Sequence, residues 1–350
     1  MKRFECSCGE RIYFENTLCL SCRATLGFDP NTLQMVALDQ YGADDSGYFF
    51  RVCKNRLDFG VCNWLLPAEG SEYYCLSCQL NRTIPQLTAG DNLNRWRKLE
   101  TAKRRLLYTL LELGLPVSSQ TRSWPGGLAF DFIEDQRSNP TVPDQFVNTG
   151  HLNGVITINV AEADELYRMQ MRQMLGELHR TVLGHFRHES GHYYFNFLIN
   201  AKNMEAFRDR FGDESTNYSL ALDTYYSNSR GPDWTPNFIS RYASSHPFED
   251  WAETWAHYLM VTDTLDTASA EGLLRPAGVF DEAIDQWTDM TVQINQVARS
   301  MGLDDPYPFT INDVVRSKLC FVDDVIRGRA EHMHSRSHGS NEVQVQRGLD

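Results

Sequence analysis

From Asp91 to Leu113 apolar side chains recur at helical spacing, with Trp96, Leu99, Leu106, Leu110 and Leu113 near one face. Asp91 stands at the cap position and Gly114 and Pro116 follow the end, so a helix is predicted here. Its polar side carries Arg95, Arg97, Lys98, Lys103, Arg104 and Arg105, the composition of a solvated face. Two short runs with strand character follow, Leu128 to Ile133 and the β-branched Gly154 to Val160. Beyond Ala161 the period is helical again, with one helix expected over about Asp164 to Met174, a second from about Glu177 to Leu198, and shorter ones later. Strands that precede helices predict an α+β fold, mainly helical with a small sheet, rather than alternating βαβ units. Residues 328–350 have no apolar period and are expected to be a disordered tail.

Residues 1–85 follow neither period, and their cysteines explain why. Eight of the nine cysteines lie before position 80. Cys6 and Cys8 are followed after ten residues by Cys19-x-x-Cys22; Cys53 and Cys62 are followed after twelve by Cys75-x-x-Cys78. Each group supplies four thiolates, the set that closes a tetrahedral structural zinc site. The segments between them hold too little apolar mass to fold without such a staple. A zinc-ribbon module with two structural zinc ions is therefore expected over 1–85, ahead of a core domain over 86–327.

At 350 residues the chain is long enough for both parts. A net charge of −13 argues against nucleic acid as a partner, and residues 1–85 hold eight Lys or Arg against ten Asp or Glu, with no basic stripe. Protein contact is the expected use of the ribbons. No apolar run reaches the roughly 18 residues of a membrane helix, and the opening MKRFECSCGE lacks the apolar stretch of a secretory signal. The expected location is cytoplasmic.

The candidate chemistry lies in HFRHESGHYYF. His188 and His192 are four apart, so on a helix both imidazoles leave one face and can hold one ion. Glu189, rotated by about 100° from His188, would flank that ion as general base toward a water. Gly191 costs a helix interior about 1 kcal/mol relative to Ala, which close approach of another backbone would explain. A catalytic zinc needs a third protein ligand and an open position, and HPFEDWAETWAHYL offers one: Pro247 suits a first helical turn, and Glu249 and Glu253 stack four apart. Their repulsion is relieved if Glu249 binds zinc while Glu253 accepts a hydrogen bond from the far nitrogen of a ligating histidine. His246 is either a second donor or a cap for that helix; His185 and His257 are expected to pack or to support the site rather than to bind metal.

This pairing of H-E-x-x-H with a later E-x-x-A-E resembles the gluzincin metallopeptidases, and is similar in detail to the core of anthrax lethal factor. That resemblance implies a further role: Tyr242, seven residues before Glu249, as donor to the oxyanion. Over nearly its whole length the chain also resembles a bacterial family of zinc-binding metallopeptidases with an N-terminal zinc ribbon. The resemblance implies a zincin-like core that hydrolyses a peptide or protein substrate with one catalytic zinc. The strand near Gly154 to Val160 could align such a peptide beside the site by edge pairing. Two other readings use the same residues: a zinc amidase acting on a non-peptide amide, and a protein in which the ribbons recruit a partner and the core is inactive.

Overall fold

A computed structural model describes residues 2–120, 126–228 and 233–342, with only the backbone for 329–342. The cysteine region forms three two-stranded antiparallel ribbons: β1 (Phe4–Glu5) with β2 (Arg11–Ile12), β3 (Thr25–Asp29) with β4 (Gln34–Leu38), and β5 (Phe50–Val52) with the later β6 (Leu65–Pro67). Helix α1 (Lys54–Phe59) lies between β5 and β6, and α2 (Leu76–Gln79) carries the last knuckle into β7 (Asn81–Thr83). The long α3 (Asn92–Glu112) follows.

Strand β7 is hydrogen-bonded not to a ribbon but to β8 (Ala129–Ile133), the first strand of the core, in parallel. The chain from β7 through α3 to β8 is therefore one βαβ crossover inside an otherwise α+β fold. The four-stranded sheet has the order β7-β8-β10-β9, with β9 (Gly150–Leu152) joined to β10 (Val155–Asn159) by a tight turn. Asn153 and Gly154 both have positive φ, 49° and 82°, which is the two-residue hairpin geometry that an Asn-Gly pair favours. The expected edge pairing on 154–160 is corrected here. Strand β10 is an interior strand, parallel to β8 along Val155–Asn159 and antiparallel to β9 at Val155–Thr157, so over those three residues β9 takes the place that a substrate strand would need. Among the described residues the sheet ends in β7 on one side and β9 on the other, and β9 is the edge beside β10.

The ribbons and the core share one hydrophobic core that runs from Phe4 to Ile326. At its centre Phe14 and Phe28 of the ribbons pack on Tyr108 of α3, with ring centroids 5.5 and 5.8 Å away, and Trp64 packs on Phe28 at 5.0 Å. Lys103 and Arg104, expected on a solvated face, are buried: Lys103 pairs with Glu100 and Asn81, and Arg104 donates to the Val61 carbonyl. These two of the six basic residues of α3 thus tie it to the cysteine-rich region.

After β10 come α4 (Glu165–Leu175), α5 (Val182–Leu198), α6 (Met204–Phe211), α7 (Tyr218–Ser227), α8 (Pro247–Ala270), α9 (Phe280–Ser300) and α10 (Asp313–Glu342). Helix α5 starts five residues later than its apolar period suggests. Gly176 in the left-handed region ends α4, and the Thr181 side chain caps α5 by accepting from Gly184 N at 2.9 Å. Helix α10 continues to Glu342, so the part of the expected disordered tail before 343 is helical in backbone, extending a helix whose earlier turns are anchored in the core; the rest of the tail lies outside the described residues. Among the described residues no helix is long and apolar enough to cross a membrane.

Candidate metal centre

Helices α5 and α8 pack face to face, and their sequences dictate how closely. A Cβ on Gly191 would lie 3.0 Å from Ala252 Cα and 3.0 Å from Trp255 Cδ1. The two indoles of α8 also bind α5: Trp251 donates to the Gly191 carbonyl at 2.8 Å and Trp255 to Ser190 Oγ at 3.0 Å. The glycine is thus where one helix backbone meets another. Gly191→Ala gains about 1 kcal/mol in helix propensity but forces the helices apart, at a cost of roughly 1–3 kcal/mol. The expected result is a net loss of up to about 2 kcal/mol, read by urea unfolding, together with weaker zinc binding; a stabilised variant with unchanged zinc affinity would refute this account of the glycine.

The N-terminus of α8 is held from three sides. Pro247 opens the helix, and His246 caps it, its Nδ1 accepting from Phe248 N at 3.1 Å. The other ring nitrogen of His246 reaches the Thr216 carbonyl at 3.1 Å, so of its two expected uses the structure places it as the cap. Asp250 forms a buried pair with Lys318 of α10 at 2.6 Å.

This packing brings His188, His192 and Glu249 together. His188 Nε2 lies 3.0 Å from Glu249 Oε2, His192 Nε2 3.4 Å from the same oxygen, and the two Nε2 atoms are 3.2 Å apart. Ligand atoms held tetrahedrally at zinc distances stand about 3.3 Å apart, so this triangle has the size that one zinc ion requires. Around it, Glu253 Oε1 is 2.7 Å from His188 Nδ1, and Ser240 Oγ donates to Glu253 Oε2 at 2.7 Å. Tyr218 donates to Glu249 Oε1 at 2.6 Å. Tyr242 heads a 3-10 turn, Tyr242–Ser245, with its ring 5.8 Å from that of His188. His185 lies near Glu162 and His257 binds Tyr307, both away from the ligand atoms.

The electrostatics call for a cation. Three carboxylates, Glu189, Glu249 and Glu253, converge on two imidazoles. Burial alone would neutralise Glu249, yet hydrogen bonds to His188 and His192 outweigh it and hold its carboxyl well below the usual carboxylate range. Burial likewise opposes charge on His188, and its contacts with Glu249 and Glu253 override it, raising that imidazole well above its ordinary value. A proton held there stands where a metal cation would satisfy the same carboxylates. Glu189, buried and bonded to neither histidine, has its carboxyl raised by burial, an effect the two imidazoles only partly offset.

The cysteines gather as two groups, Cys6, Cys8, Cys19 and Cys22, and Cys53, Cys62, Cys75 and Cys78. Sulfur separations of 3.6 Å (Cys6–Cys22), 3.7 Å (Cys8–Cys19) and 3.5 Å (Cys62–Cys75) match the roughly 3.8 Å expected around tetrahedral zinc. The second group is buried throughout, whereas Cys8 and Cys22 of the first are exposed.

Residues 92–325 match the family described as "Putative zinc-binding metallo-peptidase". The chain belongs to this family. Residues 3–89 match a zinc-ribbon domain, so zinc is the metal that both halves of the chain point to. Proteins of Mycobacterium bovis and of two strains of Mycobacterium tuberculosis, each described as uncharacterized, are 40% identical to the chain over 352 residues, covering 96% of it and 99% of their own length. The similarity to these relatives therefore extends over both the ribbon and the core of the chain. No solved structure matches the chain. Sequence reasoning missed Tyr218 and Ser240, because both come from surface-like segments with no periodic signal; it also missed β9, which the Asn-Gly turn at 153–154 could have revealed.

Proposed function

We propose that the chain is a zinc metallopeptidase of gluzincin type that hydrolyses peptide bonds in extended substrates. The observation that carries this reading is the triangle of His188, His192 and Glu249, sized for one zinc ion, with the buried Glu189 carboxyl near enough to feel the charge of all three. Zinc held by His188, His192 and Glu249 would supply Lewis acidity toward the scissile carbonyl and acidify an attacking water. Glu189 takes the proton from that water and delivers it to the leaving nitrogen. Tyr242, kept protonated by its burial and by the neighbouring Glu249, donates to the oxyanion. Glu253 fixes the His188 ring through Nδ1, and Ser240 fixes Glu253.

The free edge of β9 supports an extended substrate. Leu152 and Val155 flank the two-residue turn and form the hydrogen-bonded pair, so the next pair, His151 and Ile156, does not. The N–H and C=O of His151 therefore face outward, and its ring lies parallel to that of His192, with centroids 6.4 Å apart. A peptide strand added there would run beside the metal ligands. Two structural zinc ions in the cysteine groups complete the proposed complement, and the exposed Tyr41, Tyr48, Phe49 and Tyr73 suit the ribbons to a protein partner.

The test is to incubate the zinc-loaded chain with a broad peptide library and identify new termini by mass spectrometry, with and without a zinc chelator. Chelator-sensitive cleavage is expected. Intact zinc content with no cleavage of any pool would reject peptide hydrolysis and leave the amidase and inactive-core readings.

A further inference from the structure

We propose that Tyr218 is a positioning residue that makes Glu249 bind metal through a single oxygen. This rests on zinc at His188, His192 and Glu249, but not on peptide hydrolysis. The Glu249 side chain is 1% exposed, and its two oxygens have different surroundings. Oε2 faces both imidazole Nε2 atoms, at 3.0 and 3.4 Å, whereas Oε1 accepts the Tyr218 hydroxyl at 2.6 Å. A carboxylate with one oxygen so engaged presents the other alone. One oxygen and two imidazoles give three protein donors and leave the fourth position that a hydrolytic site requires.

The hydroxyl is where it is because its segment is tied to α8 rather than packed into the core. No residue of α7 is buried. Instead Asn217 caps the helix, accepting from Leu220 N at 3.0 Å, which puts Tyr218 at its first position. One residue earlier, the Thr216 carbonyl is bound by His246, the residue that caps α8, and the His246 ring meets the Tyr218 ring edge-on with centroids 5.1 Å apart. The cap of the helix that bears the ligand thus also orients the residue that restrains that ligand. His246 connects the two even though it reaches no ligand atom itself.

The experiment uses the full-length chain with zinc retained in the cysteine groups and the third site emptied by a mild chelator. Zinc affinity of that site is measured by competition for wild type, Tyr218→Phe, Tyr225→Phe and Glu249→Ala, and each is reloaded with Co²⁺ for visible absorption. Tyr218→Phe is expected to weaken zinc binding by about 10- to 100-fold and to lower the intensity of the cobalt d–d bands as Glu249 adds its second oxygen, with an unchanged circular dichroism spectrum. Tyr225→Phe, on the same helix, should behave as wild type. An unchanged affinity and cobalt spectrum in Tyr218→Phe would overturn the proposal; a Tyr225→Phe as weak as Tyr218→Phe would assign the effect to helix docking and overturn it also. If wild type binds no more metal than Glu249→Ala, both the third zinc site and the role of Tyr218 fall.

Discussion

Glu189→Gln is expected to keep the third zinc ion and to slow peptide turnover by about 10² to 10⁴-fold, the usual contribution of a general base. The substitution changes little but the ability to accept a proton. Gln has the same shape, and Glu189 supplies none of the three ligand atoms in the His188–His192–Glu249 triangle, so metal affinity should be nearly unaffected. The buried position of Glu189, 8% exposed, leaves bulk water no easy route to replace its function. Zinc content is measured by mass spectrometry of the native protein, and turnover with a peptide selected from the library. Wild-type turnover in the variant would end the peptidase assignment; loss of zinc would make Glu189 a ligand and require a different geometry.

Cys75→Ser should produce the largest loss of stability in the chain, well beyond that of Cys22→Ser. Structural zinc sites contribute about 10–16 kcal/mol of apparent folding free energy in small zinc-finger peptides; here the ribbons also share the hydrophobic core, so the loss is smaller than that but still large. Cys75 is 1% exposed, in a group buried throughout, so its loss leaves three thiolates without a cation in a low-dielectric setting. The damage should also spread. Helix α2, which Cys75 starts, leads directly into β7, and β7 is a strand of the core sheet. Cys22 is exposed, and water can solvate the site it leaves. Thermal unfolding followed by circular dichroism should show a fall in Tm on the order of 10 °C or more for Cys75→Ser and a clearly smaller one for Cys22→Ser. Equal shifts would show that burial of the second group does not set its weight.

The difference between the two cysteine groups marks a limit of sequence reading. Both have four thiolates and a terminal C-x-x-C, and nothing in their spacing says that one is interior and the other partly at the surface. The same holds for α3. Its charge pattern reads as a solvated face, yet Lys103 and Arg104 are buried because the cysteine-rich region and β7 cover that face and supply the Val61 carbonyl and Asn81 as partners. Long-range partners turn a surface pattern into an interior one, and no local period reports them. For β10 the β-branched composition correctly marks a buried strand, but it reports the two faces and not the two edges, and the edges are taken by β8 and β9.

What the amino-acid sequence determined by itself is the chemistry that depends on local spacing. Histidines four apart on a helix share a face whatever the surroundings, as do Glu249 and Glu253, and paired cysteines at short intervals can close on one ion without further instruction. Tertiary structure alone decided which of these local faces meet. Gly191 against Ala252 sets how near α5 and α8 come, the cap and buried pair at the start of α8 set its angle, and together they bring Glu249 to within hydrogen-bonding distance of His188. Tyr218 enters the site only through that assembly, since its place depends on contacts between segments that are 30 residues apart in the chain. Spacing along a helix is a covalent property, whereas the distance between helices is a property of packing.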